Sequence, residues 1–125
     1  MIDHLSLGVS DLKRSAAFYD VVLEPLGYRR IVDLESRVGF GKRYPEIWLN
    51  ARPAMTAVEG DGYHVCLRAR TEEAVRQFHA AALGNGGRSD GEPGPRQAAL
   101  TPYFGAFIRD PDGNKLEAAS FPEAG

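Results

Sequence analysis

The feature that most constrains this chain is an internal repeat: displaced by 60 positions, its first half falls on its second. His4 falls on His64, Leu5 on Val65, Leu7 on Leu67, Val9 on Ala69, Phe18 on Phe78 and Gly27 on Gly87. A repeat of this kind makes each copy one supersecondary unit that must find its core beside the other. Each copy opens on an alternating run. Period-two alternation sends Leu5, Leu7 and Val9 to one face and His4, Ser6 and Gly8 to the other. The second copy sets Val65, Leu67 and Ala69 against His64, Cys66 and Arg68 in the same way. A slip of one residue would reverse the faces, so the repeat preserves strand parity as well as order.

After each run comes a helix. Ser10 and Thr71 are the expected N-caps, with Asp11, Glu72 and Glu73 favourable in the first turns. The first helix buries Leu12, Ala16, Tyr19, Leu23 and Leu26, with Phe18 and Val22 beside them, and stops at Pro25 and Gly27. The second buries Val75, Phe78, Ala82 and Leu83 and ends at Gly84. Strand-like runs follow at 28–35, 37–41 and 46–50 in the first copy, and at 103–109 and 115–120 in the second. The last two are joined by the turn Asp110-Pro111-Asp112-Gly113-Asn114. Residues 84–97 carry five Gly and two Pro, which reads as a long loop with a short strand at its end. The whole is an α+β chain of one domain, 1–125, built from two strand–helix–strand–strand–strand modules, about 1–58 and about 59–125. Helices cover the apolar sheet faces from outside. The polar faces then enclose a cup for a small ligand.

Composition excludes several function classes. A chain with 43% apolar and 26% charged residues is globular rather than disordered. Its net charge of −2, with Lys and Arg scattered, argues against a nucleic-acid partner. No apolar stretch approaches the roughly 18 residues of a membrane span, and no basic-then-apolar leader opens the chain, so no membrane partner and a cytoplasmic location are expected. The lone Cys66 excludes an intrachain disulfide and a Cys-based zinc cluster.

The polar faces carry the chemistry. His4 and His64 hold equivalent positions, and paired copies bring equivalent positions together around a pseudo-twofold axis. On the last strand Leu116 and Ala118 suit the helix side, which leaves Lys115, Glu117 and Ala119 on the other. Glu117 is thus the acidic residue on the face of the two imidazoles. Two neutral imidazoles and one carboxylate bind a divalent first-row metal (Fe, Mn, Ni or Zn) and leave positions open for substrate or dioxygen.

These residues resemble the vicinal oxygen chelate superfamily, also called the glyoxalase/bleomycin resistance/extradiol dioxygenase superfamily. The carriers are the run from His4 to Leu12 with Phe18-Tyr19 and Gly27-Tyr28, then His64 to Ala69, then Phe107 to Glu117. The resemblance implies two βαβββ modules forming an open, cup-shaped mixed sheet with helices outside, and a homodimer. It implies metal ligands at His4, His64 and Glu117, with Glu117 also able to move protons in some relatives. Many members carry a fourth ligand on the fourth strand, a Glu in glyoxalase I. The matching position here is Trp48, whose indole nitrogen only donates, while Glu46 sits two residues too early. The set therefore resembles the His/His/Glu arrangement of the extradiol dioxygenases and fosfomycin thiol transferases.

Around the cup, Arg68 offers a guanidinium fork to a carboxylate or phosphonate, so the small-molecule substrate is expected to be anionic. Trp48 provides an aromatic wall, Ser6 and Cys66 line the cup, and Tyr103 supplies a phenol to an oxyanion or a proton relay. The expected function is a small metal-dependent enzyme that chelates two neighbouring oxygens of its substrate, by lyase, isomerase, dioxygenase or thiol-transferase chemistry. The alternative is a metal-free, drug-sequestering protein of the bleomycin-resistance type.

Overall fold

Asp11 and Thr71 start the two helices, each accepting a hydrogen bond from the backbone N–H three residues on, at Arg14 and Ala74. The computed structural model describes residues 1–122. The two caps obey the register of the repeat, and so do β1 (Leu5–Val9) with β5 (Val65–Arg68) and α1 (Leu12–Leu23) with α2 (Glu72–Gly84). Ser10, the expected first cap, is diverted to another partner described below.

A 3-10 turn, Glu24–Leu26, closes α1, and Gly27 at φ 88° supplies the left-handed residue that ends it. Three strands then complete the first module: β2 (Arg29–Asp33), β3 (Arg37–Gly41) and β4 (Ile47–Ala51). The second module adds β6 (Arg88–Gln97), β7 (Pro102–Arg109) and β8 (Lys115–Ser120). Each module forms a four-stranded mixed sheet, in the orders β1-β4-β3-β2 and β5-β8-β7-β6, and the sheets are not closed. This is the expected α+β architecture of two βαβββ modules. No helix among the described residues is long and apolar enough to cross a membrane.

The segment 84–97 departs from expectation. Its Gly and Pro content reads as loop, yet Arg88–Gln97 pairs with β7 along its length, with bulges between Ser89 and Gly91 and between Gly91 and Gly94. The reason is position: β6 is the outer strand of its sheet, where missing N–H donors and bulges are tolerated. Leu83, expected in the core, is exposed; the buried side of α2 is Ala74, Val75, Phe78, His79 and Ala82.

The modules are joined through their helices, with α2 packed on α1 and on the 3-10 turn. Phe18, Tyr19, Val22 and Leu23 are fully buried there. The β7–β8 turn adds a polar lock. Asp112, almost wholly buried, accepts from the backbone N–H and the hydroxyl of Ser10 and, at 3.5 Å, from the hydroxyl of Ser15. Tyr19 donates to Asp110 at 2.7 Å, and Asn114 donates across the modules to the Gly8 carbonyl. Gly113, at φ 93°, lies so close to the Val58 carbonyl that a side chain there would collide with it. A second cluster holds the linker: Asp61 accepts from Arg109 and Lys115, both of which also bind Asp90. Asp61 stands three positions before His64, so the linker is pinned where it enters the second sheet.

Removing Asp112 strands several buried donors, so Asp112→Ala is expected to lower the unfolding free energy by about 3 kcal/mol in urea titrations. Burial first, then the charge of Asp110 and the bond to it, holds the Tyr19 phenol well above its ordinary value. Its contribution is therefore complete below pH about 10, where an unfolded tyrosine stays neutral, and drains away as pH rises from there. Tyr19→Phe should cost about 1 kcal/mol at neutral pH but show a shallower loss of stability between pH 9 and 11, read from urea midpoints.

Candidate functional site

Parallel pairing of β5 with β8 sets Cys66 opposite Glu117, on the sheet face away from α2. Glu117 is only 4% exposed, and a buried carboxylate must be bonded or it cannot stay charged. The chain supplies the donors. His64 donates from Nε2 to Oε1 at 3.1 Å, and the Tyr103 hydroxyl donates to Oε2 at 2.6 Å. Burial of the Cys66 thiol, followed by the charge of Glu117 and a hydrogen bond to it, pushes Cys66 up to about 12. Tyr103 is likewise raised to about 12 by desolvation and by Glu117, with Arg96 opposing. Both stay protonated at neutral pH and act as donors.

Neighbours fix this cluster. The His64 ring meets Phe107 edge to face at 5.2 Å, and Tyr103 stacks on Phe121 at 5.2 Å. Gly105 lies beneath: a Cβ there would come within 2.8 Å of the Tyr103 ring and 3.2 Å of Glu117 Oε2. Cations rest on the aromatic rings, Arg68 over Phe121 at 4.6 Å, Lys115 over Phe107 at 4.8 Å and Arg96 over Phe107 at 5.5 Å. A cavity of about 560 Å³ opens beside Tyr103 and Phe121 towards Arg76 and Phe104; His64 and Glu117 do not line it.

The first module repeats the geometry without the chemistry. Ser6 pairs with Trp48 as Cys66 pairs with Glu117, so Trp48 is the structural counterpart of the carboxylate. The Trp48 ring is covered by the Arg37 guanidinium at 4.6 Å, and Gly39 leaves room beneath it. His4 precedes β1, is half exposed, and donates from Nδ1 to Asp3 at 2.7 Å.

The structure thus brings together His64, Cys66, Tyr103 and Glu117, with Arg68 on the same face. It keeps Ser6 and Trp48 together on the other sheet. Among the described residues no three His, Cys, Asp or Glu side chains are grouped to hold a metal ion, so His4 does not join His64 and Glu117 within one chain. The pair itself fits a metal. A nitrogen and a carboxylate oxygen 3.1 Å apart match the roughly 3.0–3.4 Å between adjacent ligands bonded at about 2.1 Å. Sequence reasoning missed Phe107, Gly105 and Arg96. The first two share the parity of Tyr103 on β7 and were within reach of that signal; Arg96 was hidden by reading its segment as loop.

The family model described as the Glyoxalase/Bleomycin resistance protein/Dioxygenase superfamily matches residues 1–118. No curated protein matches the chain. Among solved structures, a glyoxalase/bleomycin resistance protein from Albidiferax ferrireducens is 36% identical, with a TM-score of 0.82 over 94% of this chain and 96% of its own. A glyoxalase/bleomycin resistance protein/dioxygenase family enzyme from Burkholderia phytofirmans shares the fold at 18% identity, with a TM-score of 0.74 over 97% and 98%. So does the genomically encoded fosfomycin resistance protein FosX of Listeria monocytogenes, at 16% identity and a TM-score of 0.68 over 96% and 92%.

With its thiol raised to about 12, Cys66 in EDTA-treated protein should react with a disulfide reagent at pH 8 at least ~100-fold more slowly than a free cysteine, by stopped-flow absorbance. A free-thiol rate would contradict a thiol held protonated beside Glu117.

Proposed function

We propose that this chain, which belongs to the Glyoxalase/Bleomycin resistance protein/Dioxygenase superfamily, is a metal-dependent enzyme acting on a small anionic molecule with two neighbouring oxygens. The observation that carries the proposal is the buried Glu117 carboxylate with His64 Nε2 held 3.1 Å from its Oε1. A buried acid beside an imidazole, on an open sheet face with three cations about it, is costly for a core and useful for a site.

In this reading His64 and Glu117 hold the ion from one chain, and His4 of a second copy completes the set in a homodimer. His4 favours that role because the repeat gives it the place of His64, while its half-exposed side chain stays outside the cluster of its own chain. A divalent ion in such a set supplies Lewis-acid stabilisation of negative charge on a substrate oxygen. The chain's own groups do the rest. Tyr103 fixes the Glu117 carboxylate through Oε2, leaving Oε1 turned to His64. Arg68 attracts the anionic substrate, while Ser6 and Trp48 on the first sheet of the second copy would close over it. Cys66 remains a neutral donor, which suits a reducing cytoplasmic setting.

The competing reading is a metal-free, drug-sequestering protein. What favours it is that both Glu117 oxygens already have partners within the chain. Elemental analysis of untagged protein separates the two: the enzyme reading expects near-stoichiometric Fe, Mn, Ni or Zn, lost in His64→Ala and Glu117→Ala. Shared ligation has its own signature. Mixing unfolded His4→Ala and Glu117→Ala chains and refolding them together should restore about a quarter of wild-type metal, since half of randomly paired twofold dimers regain one intact site. No restoration, with wild-type protein loaded, would overturn shared ligation. A metal-free wild type that still binds drugs would favour sequestration.

A further inference from the structure

We infer that Arg96, on β6, is the residue that grips the anionic group of the substrate and so sets the acid class this site accepts. The inference rests on the Glu117 face being the substrate face, as proposed above, but not on the identity or presence of the metal.

Three cations stand on that face, and they are not equivalent. Lys115 is already neutralised, with Asp61 at 2.9 Å and Asp90 at 3.2 Å. Arg68 is exposed, lies over Phe121, and among the described residues pairs with no carboxylate. Arg96 is half-buried and likewise has no carboxylate partner among the described residues. Its hydrogen bonds run to carbonyl oxygens: Nη1 donates to Gly94 and Gly105, and Nη2 donates to Glu92 at 2.8 Å. Carbonyls hold the guanidinium in place without cancelling its charge. Of its five N–H groups, the Nε–H and one on Nη2 are left. A guanidinium fixed in advance and still charged is the arrangement that binds an oxyanion at low ordering cost.

The surroundings suit that role. Arg96 pairs across the ladder with Tyr103, the donor to Glu117, and lies over the Phe107 ring against which His64 packs. Gly91 of β6 also acquires a purpose. A Cβ on Gly91 would come within 3.0 Å of both Arg96 Nη2 and Phe107, so a side chain there would displace the guanidinium from the ring. The cross-strand row from Arg68 runs over Ala119 and Gly105 to Gly94, next to the Arg96–Tyr103 pair, and Arg96 reaches back to it through the Gly94 and Gly105 carbonyls.

The ligand chemistry is an oxyanion presenting two or three oxygens, a carboxylate or a phosphonate. The test titrates EDTA-treated wild-type protein with inorganic phosphate, methylphosphonate and acetate at constant ionic strength, following the Arg96 Nε–H resonance by NMR. That resonance, assigned through Arg96→Lys, should move saturably. A larger response to phosphate and methylphosphonate assigns a tetrahedral anion, and a larger response to acetate a planar one. Arg96→Met should weaken binding tenfold or more, Arg68→Met by a few-fold, and Arg96→Lys should keep part of the affinity. An unmoved Arg96 resonance, equal affinity in Arg96→Met, or anion binding only after adding Mn²⁺ would overturn the inference. Should Arg96→Met fail to fold, the wild-type resonance decides alone. Metal binding is measured separately on the same protein, so failure of the metal reading and failure of the arginine grip give different results.

Discussion

The arrangement depends first on the turn between β7 and β8. Asp110, Asp112 and Asn114 are buried, and their side chains bind Ser10, Tyr19 and the Gly8 carbonyl of the other module. A buried polar cluster of this kind holds a geometry only when every member is satisfied, and among the described residues no buried side-chain nitrogen or oxygen lacks a partner. The two strands leaving this turn carry Tyr103 on one side and Glu117 on the other. Whatever fixes the turn to α1 therefore fixes the carboxylate and its phenol donor relative to the whole first module. Asp61, clamped by Arg109 and Lys115, does the same for the segment that delivers His64.

Upon this frame the two modules are alike in backbone and unlike in chemistry. The pairing that places Glu117 beside Cys66 places Trp48 beside Ser6. One sheet therefore offers an oxygen donor with an imidazole beside it, and the other offers an indole wall with a half-exposed imidazole, bonded to Asp3, at its margin. In the reading proposed above, the two unlike faces are complementary halves of a site that pairing two copies would bring together.

Much of this was legible in the sequence, and what was not has identifiable causes. The repeat follows from self-similarity at a shift of 60 and the strand parity from a periodicity of two, which survives into the structure because one face of each sheet is buried, while the place of Trp48 came from the family resemblance. Ser10 was misread as a cap because its alternative partner, Asp112, lies 102 positions away, and a local rule cannot see such a competitor. The strand β6 was misread because Gly and Pro carry a composition signal for loop, whereas tolerance for them is decided by which strand lies at the sheet edge. Arg96 vanished with that strand. The convergence of His64, Cys66 and Glu117 was foreseen by parity; the separation of His4 from them was not, since parity fixes a face and not the distance between two sheets.

The central claim is that His64 and Glu117 of one chain and His4 of another grip a single ion. Electron spin-echo spectroscopy of the Mn²⁺-loaded protein tests it most directly, because it counts the imidazole nitrogens coupled to the ion. The account predicts two in the wild type and one in His4→Gln, with the protein still folded and dimeric. A single coupled nitrogen in the wild type, unchanged in His4→Gln, would contradict it.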